Sequence, residues 1–597
     1  MNEFLKSKYI SRIIHPYTLF FALIAITYLQ SFNFEFLWWD DRENIFDNYF
    51  LQNFNWTYFW ENSYYGLYIP IPYTIWTFLW KLVPNQPSWF HLLNVAVHFI
   101  NCILVYKVAT ALYPENKKSA IFGTLLFLIH PLQVETVVWT SGLRDTLGYA
   151  FALTALLYWI RAGKAVTGKS WLAFILFNIA LLCKPTVSII PVVFILINYG
   201  DELIEWFENK FKLFNTKLNI KTEDKGSEDN LETKNGKPLS KKQLKSHKNQ
   251  NKKIMKKNSR ENLALPFICI FTSLIAIYNS SKIQETFIRQ DSVVEWYERP
   301  IVALDALGFY VLKFIKPFPL SAEYGRIPKI VLEEKLYYTP LIIASTFLIL
   351  TIGLILYLRS KNKTANRNQL LILFGVIILF YLPTSGIFGF AYQNISTTAD
   401  RYFYAPLIGI ALLLSSFKLS QKYWVFIFII IITYFGYFNF VRTQDWKNNE
   451  SFFGSMIQFN PKSYSAHLNF ANIERQHNNL DKALFHFRKA HEIRPDELGP
   501  ISGEMLIHGF KGDFNTITRL YNETLPRIPQ MKTSGPHLSV FNAVYGFVNI
   551  QNGNLEGAFD NYCKSIKFDP SFHEGRKNLE AVAQQLRSKN KPIPPCE

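Results

Sequence analysis

Two adjacent carboxylates, Asp40 and Asp41, stand in the run Phe36-Leu37-Trp38-Trp39-Asp40-Asp41-Arg42, held by aromatics where a long apolar stretch gives way to a polar loop. A carboxylate at such a boundary has water available. It can take a proton from an acceptor hydroxyl while a lipid-linked donor presents its reactive carbon at the same depth. The plain alternative is an ordinary polar loop end. Three further strings carry charge at the edges of apolar stretches, where an ionisable group is costly unless it faces a cavity or a partner. The segment from His130-Pro131 through Gln133 and Glu135 leads to Arg144-Asp145. Glu135 is suited to assist an acceptor or hold a divalent metal ion, and Arg144 to grip a phosphate bidentately; the same two residues could instead pair with each other. Lys184, followed by Pro185, offers a second cation for phosphate or snorkels to the boundary. Arg401, in Thr398-Ala399-Asp400-Arg401-Tyr402, precedes another apolar stretch. It suits a singly phosphorylated lipid carrier, unless it pairs with Asp400. His91, Asn94, His98 and Asn101 recur at helical spacing and are read as hydrogen-bonding neighbouring helices, not as a metal site.

The elements that must position these residues are helices in a bilayer. Of 597 residues, 49% are hydrophobic and 17% aromatic, and apolar runs recur at spanning length. The expected architecture is all-α: a polytopic bundle of about 11 spans over residues 1–441, then a soluble unit over 442–597. The net charge of +18 invites a nucleic-acid partner, yet residues 208–261 hold 16 Lys and Arg against 7 acids. That stretch is poor in aromatics and bulky apolar residues. It reads as a basic, disordered cytoplasmic loop over 208–262 that sets topology, with membrane lipid and no nucleic acid as partner. Lys6, Lys8 and Arg12 place the N-terminus inside, so the loop over 32–88 lies outside. The first span runs into that loop without a small-residue cleavage site, so it is expected to be kept. Arg359, Lys361, Lys363 and Arg367 belong on the inner side only if Ile301–Ile315 does not cross. That segment is therefore expected to be interfacial or re-entrant, and everything after Arg442 to be non-cytoplasmic. The five cysteines show no metal-ligand spacing and are expected to pack as apolar residues.

After Pro461 the pattern changes to helical hairpins. Ala471, Ala483, Phe487, Ala490 and Pro495 occupy the small, aromatic and terminal-proline positions of a tetratricopeptide (TPR) unit, and Gly546, Ala558, Tyr562 and Pro570 repeat them. Gly512-Asp513, Tyr521 and Pro529 mark a degraded copy between, and the long step to Pro570 predicts an insertion near Pro536. Three such units form a short α-solenoid, a binding module for a protein or peptide.

With these residues in view, the chain resembles the transmembrane and TPR repeat-containing O-mannosyltransferases of the GT-C glycosyltransferase superfamily. The likeness rests on Trp39-Asp40-Asp41; Phe90-His91-Leu92-Leu93-Asn94 with His98; His130-Pro131 through Glu135 to Gly142-Leu143-Arg144-Asp145; Leu382-Pro383-Thr384-Ser385 with Asp400-Arg401-Tyr402; and Asp445-Trp446-Lys447 before the repeats. It implies a GT-C membrane core, an acid of the first outer loop (Asp40 or Asp41) as catalytic base, a polyprenyl-phosphate sugar as donor, and inverting transfer on the luminal or periplasmic face. The chain departs from family members where Lys184 is followed by Pro185 instead of Glu, where Gly142-Leu143-Arg144-Asp145 stands for Gly-Arg-Ala-Asp, and at Asp400 in place of Glu. A usage rich in Lys, Asn, Ile and Phe favours a bacterial inner membrane with a periplasmic repeat unit, the endoplasmic reticulum being the alternative. A non-enzymatic envelope scaffold is the competing function; a transporter would be expected to show internal pseudo-symmetry of its spans, which is not seen.

Overall fold

The computed structural model describes residues 15–223, 264–289, 292–361, 363–418 and 421–596. It is helical, with no β-strand among the described residues, and it divides into two compact units. One comprises Met1–Ala322 with Arg326–Trp446, the other Glu323–Gly325 with Lys447–Glu597.

The first unit is a bundle of apolar helices. Those used below are α1 (Pro16–Tyr28), α2 (Pro87–Leu112), α3 (Lys117–Ile129), α4 (Leu143–Ala162), α5 (Gly168–Leu181), α6 (Ile190–Glu223), α7 (Arg299–Ile315), α8 (Tyr338–Ser360) and α9 (Tyr404–Ser416). Proline at the first turn starts α2, where its missing N–H costs nothing, and Gly163, at φ +62°, ends α4. Close crossings use small residues: a Cβ on Gly123 of α3 would lie 2.3 Å from the backbone oxygen of Ala411 in α9, so only hydrogen fits. On α8, Ile342, Ile349 and Leu350 are exposed, a surface suited to lipid.

Where about 11 spans are expected from hydropathy, five helices among the described residues are long and apolar enough to cross a membrane, and one bent pair makes a sixth. The shortfall has a physical cause. Helices α1, α5 and α9, of 13, 14 and 13 residues, rise only about 20 Å at 1.5 Å per residue, and α4 carries Arg144, Asp145 and Arg161. Segment 301–315 forms one unbroken helix, α7, with Asp305 and Lys313 buried, so it is not a re-entrant hairpin. The basic segment differs as well. Residues 208–223 continue α6 as helix, since Lys, Glu and Leu propagate a helix readily, while 224–262 lies outside the described residues, as do Lys6, Lys8 and Arg12.

The bent pair positions the site. Pro131 breaks α3 from the short helix Val134–Val138, and the axis turns by 57°. Backbone groups freed at such a break must be satisfied from elsewhere. Tyr28 donates to the oxygen of Leu128 at 2.9 Å and Asn439 to that of Ile129 at 3.2 Å. Asn94 donates to the oxygens of Thr136 and Trp139 at 3.0 and 2.8 Å, and His91 Nδ1 lies 2.7 Å from that of Val138. Asn101 reaches Thr146 O at 2.8 Å. The polar face of α2 is thus a rack for the broken segment.

The second unit contains helical hairpins Tyr464–Gln476 with Leu480–Ile493, Leu498–Phe510 with Phe514–Thr524, and Gly535–Gln551 with Leu555–Phe568, closed by His573–Ser588. Ala471, Ala483, Phe487 and Ala490 are buried, as are Ala558 and Tyr562. Extra residues stand just before Pro536, where a 3-10 turn, Leu525–Gln530, joins the second hairpin to the third. Cys563 and Cys596 form a disulfide, which corrects their reading as packing residues: the chain turns back after His573–Ser588 and brings distant sulfurs together. Cys102, Cys183 and Cys269 are free and buried.

Candidate active site

The loop after α1 folds over the broken segment. A π-helical turn, Arg42–Phe46, follows the acid pair, a geometry that often accompanies functional sites. Asp41 is fully buried. Its Oδ1 accepts from the backbone N–H and hydroxyl of Ser141 at 3.0 and 2.6 Å, and its Oδ2 accepts from Leu37 N at 3.1 Å. Burial raises the Asp41 carboxyl above its usual range, while these hydrogen bonds oppose the rise. Asn44 adds a 3.3 Å bond to Ser141 Oγ and accepts from Tyr73 at 2.6 Å. Asp41 therefore staples the loop to the segment before α4, and its neighbour turns the other way.

Asp40 is 26% exposed at its side chain, and Arg144 Nη2 donates to its Oδ2 at 3.0 Å. Arg144 Nε lies 4.0 Å from Asp145 Oδ2, and Lys184 Nζ lies 2.9 Å from that same oxygen. Asp40, Arg144, Asp145 and Lys184 thus form one row of alternating charge, in which each buried cation is neutralised. Arg401 stands beside it. Its Nη1 donates to Glu135 Oε1 and its backbone N–H to Oε2 at 3.2 Å. The guanidinium lies 4.1 Å over Tyr392, 4.9 Å over Tyr402 and 5.5 Å over Trp139.

A narrow crevice is lined by Asp145, Tyr149, Thr186, Phe380, Thr384, Arg401 and Tyr402. A guanidinium among hydroxyls is chemistry that takes a phosphate, and Asp145 joins this cleft to the charge row.

Of the residues singled out by sequence, Asp40, Arg144 and Lys184 come together in the row, while Arg401, held by Glu135, lines the cleft. Neither local pair forms: Glu135 takes Arg401 and not Arg144, and Asp400 takes Arg442 at 3.4 Å. Both Glu135 oxygens are spent on Arg401. Among the described residues no three His, Cys, Asp or Glu side chains make a metal-holding group, so no step is drawn through a metal ion. His98 and Asn101 both reach the Tyr404 hydroxyl, at 3.0 and 2.8 Å, as packing residues would. Sequence reasoning gave Asp145 no role, although a charge at the head of an apolar helix was its signal. Thr186 and Tyr149 carried none.

No family model matches the chain. It is similar to Protein O-mannosyl-transferase TMTC3 of Homo sapiens, 23% identical over 558 residues, which is 87% of this chain and 56% of the relative. The mouse protein of that name is 22% identical over 624 residues, 96% of this chain and 62% of the relative. Protein O-mannosyl-transferase Tmtc1 of Drosophila melanogaster is 27% identical over 180 residues, 28% of this chain and 20% of the relative. The chain spans little more than half the length of the first two relatives it matches. The resemblance read from the motifs thus extends over most of this chain, and apolar helices together with these relatives make it a multi-pass membrane protein.

Proposed function

We propose that this chain, similar over most of its length to protein O-mannosyltransferases, moves a sugar, mannose or similar, from a polyprenyl-phosphate carrier to a hydroxyl of a protein acceptor on the non-cytoplasmic side. Asp40 is the base and Asp41 the staple that aims it. The acceptor hydroxyl gives its proton to Asp40 as its oxygen bonds to the sugar C1, and the bond from C1 to the phosphate oxygen breaks with its electron pair leaving on the phosphate. Attack from the opposite face inverts C1. Arg401, Lys184 and Arg144 counter the charge that grows on the leaving group, where fixed charges in a water-poor site act most strongly. The TPR unit takes the acceptor protein. The Cys563–Cys596 disulfide supports an oxidising, non-cytoplasmic compartment for that unit. Residue usage favours the periplasm of a bacterium over the endoplasmic reticulum.

The observation that carries this reading is the partly exposed Asp40 carboxylate in one charge row with Arg144 and Lys184, next to a cleft walled by Arg401. The test is transfer from a polyprenyl-phosphate mannose to a hydroxyl-bearing peptide by purified protein, beside Asp40→Asn. Transfer by the native chain and its loss in the variant are expected. No transfer from the lipid donor, or equal transfer by Asp40→Asn, would overturn it, and the first outcome would turn attention to a scaffold role.

A further inference from the structure

Trp139 lies outside every role given so far, yet it touches both halves of the site. Its backbone is fixed between the helix Val134–Val138 and the 3-10 turn Thr140–Gly142. Its N–H donates to Glu135 O at 3.2 Å, and its carbonyl accepts from Asn94 at 2.8 Å and from Gly142 N at 2.9 Å. The indole is fully buried. The Arg144 guanidinium lies 4.9 Å from its ring centroid and that of Arg401 5.5 Å. Each of these cations has its own carboxylate, Asp40 for Arg144 and Glu135 for Arg401. The indole is a neutral group in contact with both cations.

We infer that Trp139 is a positioning residue that couples the base side of the site to the phosphate side; this rests on the proposed sugar transfer. During transfer Asp40 becomes neutral as it takes the proton, and Arg401 meets a phosphate that competes with Glu135. Both ion pairs change in the same step. A guanidinium that loses its partner in a water-poor site tends to swing away, and a fixed aromatic face attracts it without ionising. Held by one rigid ring, Arg144 stays in place when Asp40 is protonated, and Arg401 keeps its aim when it shares Glu135 with phosphate. The indole N–H has no hydrogen-bond partner among the described residues, so Trp139→Phe removes no such bond and keeps a weaker aromatic face.

Steady-state transfer from polyprenyl-phosphate mannose by Trp139→Leu and Trp139→Phe tests this. For Trp139→Leu, kcat is expected to fall about tenfold to hundredfold, with donor KM changed less than about threefold, and Trp139→Phe is expected to recover most of the loss. Native kcat in Trp139→Leu, or equal loss in both variants, would overturn the inference. A second readout needs no catalysis: a double-mutant cycle of Asp40→Asn and Glu135→Gln on heat stability, run in the native chain and in Trp139→Leu. Non-additive effects that shrink in the Trp139→Leu background support the coupling. Additive effects in the native chain refute it, whether or not the chain transfers sugar. Failure of the native chain to transfer at all would instead strike the function proposed above.

Discussion

Asp40 and Asp41 are adjacent in sequence and opposite in surroundings, so their amide variants should fail in opposite ways. In Asp41→Asn the amide has one oxygen for three donors. If that oxygen stays on Ser141, where two bonds of 3.0 and 2.6 Å meet, the new NH2 faces the Leu37 N–H, 3.1 Å from the atom it replaces. One charge-assisted bond is lost and two become neutral, each such change costing about 1–3 kcal/mol. Burial of a neutral amide is cheaper than that of a carboxylate, which offsets part of the cost. A net loss of about 2–3 kcal/mol is expected. Asp40 is 26% exposed at its side chain, the amide oxygen of Asp40→Asn can still accept from the buried Arg144, and Arg144 keeps Asp145 at 4.0 Å, so the loss of one charge from the pair should cost about 1–2 kcal/mol of stability. Removal of a general base should nevertheless slow transfer about 10²–10⁴-fold, a barrier rise of about 3–5 kcal/mol. The assay is paired: the heat-denaturation midpoint in detergent by size-exclusion, and transfer at a temperature where each variant is still folded. Folded Asp41→Asn should keep transfer within about fivefold of native. A folded but inactive Asp41→Asn, beside an active Asp40→Asn, would reverse the assignment of base and staple.

Burial pushes the Glu43 carboxyl up to about 7; because its folded value exceeds its unfolded one, its contribution to stability is full in acid and fades as pH rises through about 7. The denaturation midpoint of the native chain should therefore fall between about pH 5 and about pH 8 more steeply than that of Glu43→Gln, and parallel profiles would refute this. Cys596→Ser opens a link between residues 33 apart and should destabilise the second unit by about 2–4 kcal/mol, read as a lower midpoint that reductant no longer moves. Asn94→Ala takes one donor from each of the oxygens of Thr136 and Trp139, the latter keeping Gly142 N at 2.9 Å, and leaves the Thr146 hydroxyl only the Leu143 oxygen at 3.3 Å. At about 1–3 kcal/mol for each uncompensated group, the monodisperse fraction after extraction should drop sharply, and an unchanged yield would show that the broken segment does not need its rack.

Sequence by itself determined what repeats locally. Burial at Ala471, Ala483, Phe487 and Ala490 follows from a period set by the helix itself, and the all-α class follows from continuous apolar runs at the length at which a helix crosses lipid with its backbone satisfied internally. The strings holding Asp40, Arg144, Lys184 and Arg401 stood out because charge beside an apolar run is costly wherever the chain later goes. Tertiary structure decided the partners. Glu135 meets an arginine 266 positions away and Asp40 one 104 positions away, and charge type names no mate when several opposite charges are within reach. The same holds for the surroundings of Asp40 and Asp41, adjacent residues of one type, of which one is 26% exposed beside Arg144 and the other fully buried on Ser141. Helix length was likewise hidden: hydropathy sums over a window, whereas Pro131 and the polar heads of α4 and α7 cut the rise that an apolar run would otherwise deliver. An apolar run therefore encodes where a segment is buried, but ion pairs and the disulfide arise only when distant parts of the chain occupy the same few ångströms.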